Sequence, residues 1–221
     1  MTQIFVGLLA EGTTDNLFLS SIVEKTLLDV AFTCKGQIEI ELLIIEKEKG
    51  LTFVQEILEA SKKGFENFGM NILCVHTDAD TKTLDNAYEY KIIPAQVELE
   101  KQNDTDYCKN LVAIVPIQET EAWMLADTAL LKSEIGTDKT DNELGINKQP
   151  ESITNPKEVI ENAIRVAREE QTKRKRSNLT IADLYLPIGQ SMDLEKLTGL
   201  PSYQNFQENV RGAFRKMNLL L

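Results

Sequence analysis

The chain reads as an α/β protein built on a mainly parallel four-stranded sheet with flanking helices, and three observations predict this. Short apolar runs alternate four times with helical patterns before residue 131, which implies parallel strands with helices packed against them. The runs are nearly continuous in hydrophobicity, as expected of strands buried on both faces. After Leu131 the alternation stops and only helical patterns follow.

The first run, Ile4-Phe5-Val6-Gly7-Leu8-Leu9, ends at Glu11-Gly12. Thr13 or Thr14 can cap the next helix, which carries Phe18, Leu19, Ile22 and Val23 at helical spacing. A second strand is expected from Ile38 to Ile45. The helix after Lys49-Gly50 has Phe53, Val54, Ile57, Leu58 and Phe65 on one face and closes at Gly64 and Gly69. The third strand, Asn71 to His76, runs into Thr77-Asp78-Ala79-Asp80. A helix or mixed segment from Leu84 to Glu100 and a loop from Gln102 to Asp106 come next.

The fourth strand, Leu111 to Ile117, leads into Gln118-Glu119-Thr120-Glu121 and a helix carrying Trp123, Ala126, Leu130 and Leu131. Residues 132–156 are polar, with Gly136, Gly145, Pro150 and Pro156 as breakers. Helical stretches follow at Lys157 to Arg176, Leu179 to Tyr185 and Tyr203 to Met217. The expected organisation is an α/β domain over residues 1–131 and a helical C-terminal extension over 132–221, without internal repeats.

Composition narrows the function classes. A hydrophobic fraction of 42% and a charged fraction of 27% are ordinary for a globular chain of 221 residues. No stretch approaches an apolar membrane span, and no basic leader region stands at the N-terminus, so the cytoplasm is the expected compartment and no membrane partner is expected. Cys34, Cys74 and Cys108 are widely spaced and suggest neither a disulfide framework nor a zinc knuckle. The single histidine, His76, excludes sites that need two imidazoles, such as the H-E-x-x-H zinc hydrolases. A net charge of −11 argues against broad nonspecific nucleic-acid binding, but a carboxylate-rich site would itself carry much of that charge. Walker A, G-x-G-x-x-G and G-x-S-x-G sequences are absent.

The acidic residues that close the strands carry the chemistry. If the first and third strands are parallel neighbours, Glu11, Asp15, Asp78 and Asp80 emerge at the same sheet edge, where open α/β folds place their sites. Carboxylates so close repel unless a cation joins them, and hard divalent ions with oxygen ligands are the usual partner. Asp78 and Asp80, at positions i and i+2 of an extended backbone, can direct both carboxylates into one site. Gly12 lets the chain turn tightly after Glu11. Asp15 reads better as favouring the positive helix N-terminus. Glu119 and Glu121 can complete the coordination of a second metal or favour the first turn of the following helix, while Trp123 reads as core. The dense basic run Lys173-Arg174-Lys175-Arg176 is either a solvated helix end or a contact for substrate phosphate.

Taken together, Glu11-Gly12-Thr13-Thr14-Asp15, Asp78-Ala79-Asp80 and Gln118-Glu119-Thr120-Glu121-Ala122-Trp123 resemble the Toprim fold. This is the metal-binding domain of topoisomerases, primases and the overcoming-lysogenization-defect nucleases, and the chain is most similar to the Toprim-like group DUF4276. The resemblance implies acid/base work or metal binding by Glu11 and divalent-metal binding (Mg²⁺ or Mn²⁺) by Asp78 and Asp80. Glu119 and Glu121 resemble the added acidic ligands of the nuclease branch. It further implies phosphodiester hydrolysis of DNA or RNA, DNA being the expected substrate, an AAA- or ABC-type ATPase partner and a role in phage defence. Self-association is left open. A non-catalytic Toprim-like subunit that regulates an ATPase is the alternative, and a metal-dependent glycosyltransferase using Asp-x-Asp ranks below both.

Overall fold

The computed structural model describes residues 1–169 and 179–220. At its centre lie four strands, β1 (Thr2–Leu9), β2 (Ile38–Ile44), β3 (Ile72–His76) and β4 (Leu111–Ile114), hydrogen-bonded in the order β2-β1-β3-β4. Every pairing is parallel, with Leu8 opposite Cys74 and Cys74 opposite Val112. The sheet is thus wholly parallel. All five residues of β3 are buried, as the continuous apolar run requires of a central strand covered on both faces.

Helices fill both faces. Strand β1 is followed by α1 (Thr13–Phe32) and β2 by α2 (Phe53–Phe68). After β3 come α3 (Asp85–Ala87), a π-helical turn (Tyr88–Ile92) and α4 (Ile93–Glu100). After β4 come α5 (Glu121–Met124), α6 (Thr128–Ile135), α7 (Asp141–Leu144) and α8 (Pro156–Ala167). The last described helices are α9 (Tyr185–Ser191), α10 (Leu194–Leu197) and α11 (Pro201–Lys216). Among the described residues no helix is long and apolar enough to cross a membrane.

Alternating side chains of the strands build two cores. Val6, Leu8, Ile72, Cys74, Val112 and Ile114 pack with Phe18, Leu19 and Ile22 of α1 and with Trp123, Tyr203 and Phe206. On the other face Leu73 and Val75 meet Ile57, Ala60, Met70 and Ala95. Full burial of each large apolar side chain stabilises by about 1.5–3 kcal/mol, opposed by chain entropy. Trp123 is core, as expected: its ring meets Tyr203 edge-on at 5.5 Å and its N–H donates to Ser202 Oγ at 2.7 Å.

The helices beyond Leu131 contribute to the core that covers the sheet. Ile160, Tyr185, Ile188, Val210 and Phe214 belong to the same buried cluster as the strand residues. Helix α11 lies along β4, where Asn209 donates to the Ala113 carbonyl at 3.0 Å and to the Tyr88 hydroxyl at 2.8 Å. Helix α9 crosses α1 at Gly189, where a Cβ would stand 2.6 Å from the Phe18 carbonyl oxygen, so only glycine allows this approach.

Several boundaries differ from expectation for local reasons. Strand β4 ends at Ile114 rather than Ile117, because Pro116 has no N–H to continue the ladder. The expected helix through Trp123 and Leu131 is two helices, since Asp127 breaks it and accepts the Leu130 N–H at 2.9 Å as the cap of α6. Gly12, not Thr13 or Thr14, is the N-cap of α1. Helix α8 reaches its C-cap at Arg168.

Candidate active site

Parallel register brings the loops after β1, β3 and β4 out at one edge, from three adjacent strands. The loops after β3 and β4 continue to pair beyond the strands. Thr77 N–H donates to the Ile114 carbonyl at 3.1 Å, Ala79 N–H to Pro116 at 3.0 Å and Asp80 N–H to Gln118 at 3.0 Å, while Gln118 N–H returns to Thr81 at 3.0 Å. Asp80 (φ 55°) and Gln118 (φ 65°) are both in the left-handed region. Each such non-glycine residue costs about 1–3 kcal/mol and persists only where its surroundings over-determine it, as these reciprocal bonds do.

The loops place four of the expected carboxylates, Glu11, Asp78, Asp80 and Glu119, at one sheet edge. The exposed Glu11 accepts from Thr77 Oγ1 (3.3 Å) and from the Asp78 N–H (3.4 Å) through Oε2. Asp78 accepts through Oδ1 from the Thr120 N–H (2.9 Å) and hydroxyl (3.2 Å), and the same oxygen lies 3.2 Å from His76 Nε2. Burial pushes the Asp80 carboxyl above its ordinary range; the Lys91 cation opposes this and the Asp78 and Glu11 charges add to it. Burial also raises Glu119, against a hydrogen bond from the Lys157 backbone, and Asp78 and Asp80 raise it further. Glu119 Oε2 is buried and has no hydrogen-bond partner among the described residues.

Two other acidic residues are committed elsewhere. Asp15 accepts the Gly12 N–H at 2.9 Å and so serves the start of α1, while its Oδ2 stands 3.9 Å from His76 Nδ1. Glu121 is buried and accepts the Tyr185 hydroxyl. Burial raises Glu121 above the usual carboxylate range, opposed by that hydroxyl and reinforced by Glu119 and Asp78. Lys173, Arg174, Lys175 and Arg176 lie outside the described residues.

As a donor set, these oxygens suit a hard cation: carboxylates that repel one another, one of them with a buried unpartnered oxygen. Among the described residues, however, no three His, Cys, Asp or Glu side chains are gathered closely enough to hold a metal ion as they stand. An ion here would take one or two carboxylates and complete its shell with water and substrate oxygens, which is the habit of Mg²⁺.

Four residues join the site that sequence reading did not assign to it. His76 stands two residues before Asp78, and the period of an extended strand puts both on one side of the chain. Thr120 sits between the two glutamates that attracted attention. Lys91 donates to Thr77 Oγ1 at 2.7 Å from within the π-helical turn, and Tyr185 arrives from a helix 64 residues from Glu121. Neither has a local sequence signal. No family model, curated protein or solved structure matches the chain significantly.

Proposed function

We propose that the chain is a Toprim-like, divalent-metal-dependent nuclease that hydrolyses phosphodiester bonds in DNA or RNA, with DNA the favoured substrate. One observation carries the reading: the loops after three adjacent strands bring Glu11, Asp78, Asp80 and Glu119 to one sheet edge, where burial, with neighbouring acids adding to it, raises the Asp80 and Glu119 carboxyls. Asp78 and Asp80 would hold Mg²⁺ or Mn²⁺ with Glu11, and Glu119 would serve a second ion, with Glu121 behind it. Such an ion supplies Lewis-acid stabilisation of the charge that develops on the phosphoryl oxygens.

The protein's own groups do the rest. Glu11, exposed and held on one oxygen only, takes the proton of the attacking water. Lys91, the cation that acts on Asp80, offsets the negative charge of the incoming phosphate. An AAA- or ABC-type ATPase partner and a role in defence against foreign DNA belong to the same reading.

Calorimetric titration of Mn²⁺ and Mg²⁺ into wild type and the Asp78→Ala/Asp80→Ala variant tests it, alongside cleavage assays on DNA and RNA. Saturable binding and cleavage, both lost in a folded variant, are expected. Cleavage that survives in the variant would reject the assignment. A second reading, a non-catalytic subunit that regulates an ATPase, draws on the lack of three gathered ligands among the described residues. It gains if wild type binds no metal and cleaves nothing even in complex with the ATPase.

A further inference from the structure

We propose that His76 is a positioning residue that ties the loops after β1, β3 and β4 together and so sets the direction of the Asp78 carboxylate. Its importance for catalysis rests on the reading that Asp78 holds a divalent cation; its structural role does not. The imidazole is only 1% exposed, at the end of a strand whose other residues are Ile72, Leu73, Cys74 and Val75. An aliphatic side chain would fill the volume, so the polar ring calls for a polar reason.

The geometry supplies one. The Glu11 N–H points at Nδ1 across 3.3 Å, which requires a lone pair there and puts the ring proton on Nε2. Nε2 lies 3.0 Å from Thr120 Oγ1 and 3.2 Å from Asp78 Oδ1. Thr120 in turn gives both its N–H and its hydroxyl to that same Oδ1. One ring therefore touches the backbone of the first loop and side chains of the second and third. Asp78 Oδ1 is occupied by these contacts, which leaves Oδ2 without a protein donor among the described residues and available to a cation. Of the other charges that act on the ring, Asp15, 3.9 Å from Nδ1, is engaged with Gly12, and Glu11 accepts from Thr77 Oγ1 and the Asp78 N–H.

A single histidine makes the test direct. In protein labelled with ¹⁵N-histidine at mildly alkaline pH, the neutral Nε2–H tautomer is expected, and an Nδ1–H tautomer overturns the proposal. Amide exchange is then compared in wild type, His76→Leu and His76→Gln. In His76→Leu the Thr120 amide should exchange on the order of tenfold faster, although its acceptor Asp78 is still present. In His76→Gln, which keeps a donor and an acceptor, most of the protection should return. Wild-type protection of Thr120 in a folded His76→Leu overturns the proposal.

Mn²⁺ affinity should fall about 10–100-fold in His76→Leu and recover in His76→Gln; an unchanged affinity in His76→Leu also overturns it. If wild type binds no Mn²⁺, the metal reading fails, and the tautomer and the exchange rates still decide the positioning role. If His76→Leu does not fold, the tautomer and the His76→Gln variant decide it.

Discussion

The carboxylates at the edge of the sheet and those on the helical periphery are the same chemical groups held in opposite ways. On the periphery, Lys132 beside Asp141, the Thr140 N–H and hydroxyl on Glu143, Lys139 beside Glu169 and the Thr180 N–H and hydroxyl on Asp183 hold each carboxyl below its usual range. At the sheet edge, burial and neighbouring acids push Asp15, Asp80, Glu119 and Glu121 above it. The peripheral groups stabilise the fold when ionised. The edge groups oppose it, and two strained backbone positions, Asp80 and Gln118, lie among them. Carboxyls that burial holds against their own ionisation at one sheet edge are the feature on which we base the proposal of a functional site there.

The sharpest way to break this contrast is Asp80→Asn. Mn²⁺ affinity should fall on the order of 10–100-fold, while the thermal midpoint in chelator holds or rises, because a charge that burial and two neighbouring acids disfavour has gone. Glu143→Gln is the peripheral control and should do the reverse, with metal affinity unchanged and the midpoint lowered. A lower midpoint with unaltered Mn²⁺ affinity in Asp80→Asn would erase the distinction between the two regions.

Tyr185→Phe probes the edge carboxylate whose donor comes from a distant helix. It leaves Glu121 buried without the hydroxyl it accepts, and the cost should be about 1–3 kcal/mol, or several degrees in midpoint at this chain length. The loss should be greater at pH 8 than at pH 5, since only ionised Glu121 needs that donor so strongly. Adding Glu121→Gln should recover much of it. A pH-independent loss would point to packing of α9 instead.

Much of this contrast was legible in the sequence, and the remainder was hidden for identifiable reasons. Apolar runs bounded by turn residues located all four strands within a few residues, and parallel order then carried Glu11, Asp78, Asp80 and Glu119 to one edge. What stayed hidden depends on contacts between distant segments. The left-handed Asp80 exists because Gln118 bonds to it across the gap between two loops. The Tyr185 hydroxyl reaches Glu121 only once α9 has packed. Lys91 joins the site from a π-helical turn that hydrophobic periodicity does not register. Apolar spacing runs on unbroken through Asp127, whose side chain caps α6 instead of continuing one helix.

The smallest effect tests the electrostatic basis of the comparison most directly. Because the folded-state pKa of Glu119 is raised, the native state holds that proton more tightly than the unfolded chain does. The penalty on folding therefore grows as pH climbs from the ordinary glutamate value through the raised one, and is complete above it. In chelator, Glu119→Gln should melt about 1–3 °C above wild type at pH 8, after allowance for solvent screening, and the advantage should shrink toward zero near pH 4. Glu143 has its pKa lowered, so its contribution is present above the ordinary value and is lost as pH falls. Glu143→Gln should accordingly melt below wild type at pH 8 and converge with it in acid. Two difference curves of opposite sign that meet at low pH would establish that charge separates the two regions. A Glu119→Gln advantage equal at pH 4 and pH 8 would instead trace the effect to packing around the buried Oε2 atom and remove the electrostatic argument for this edge.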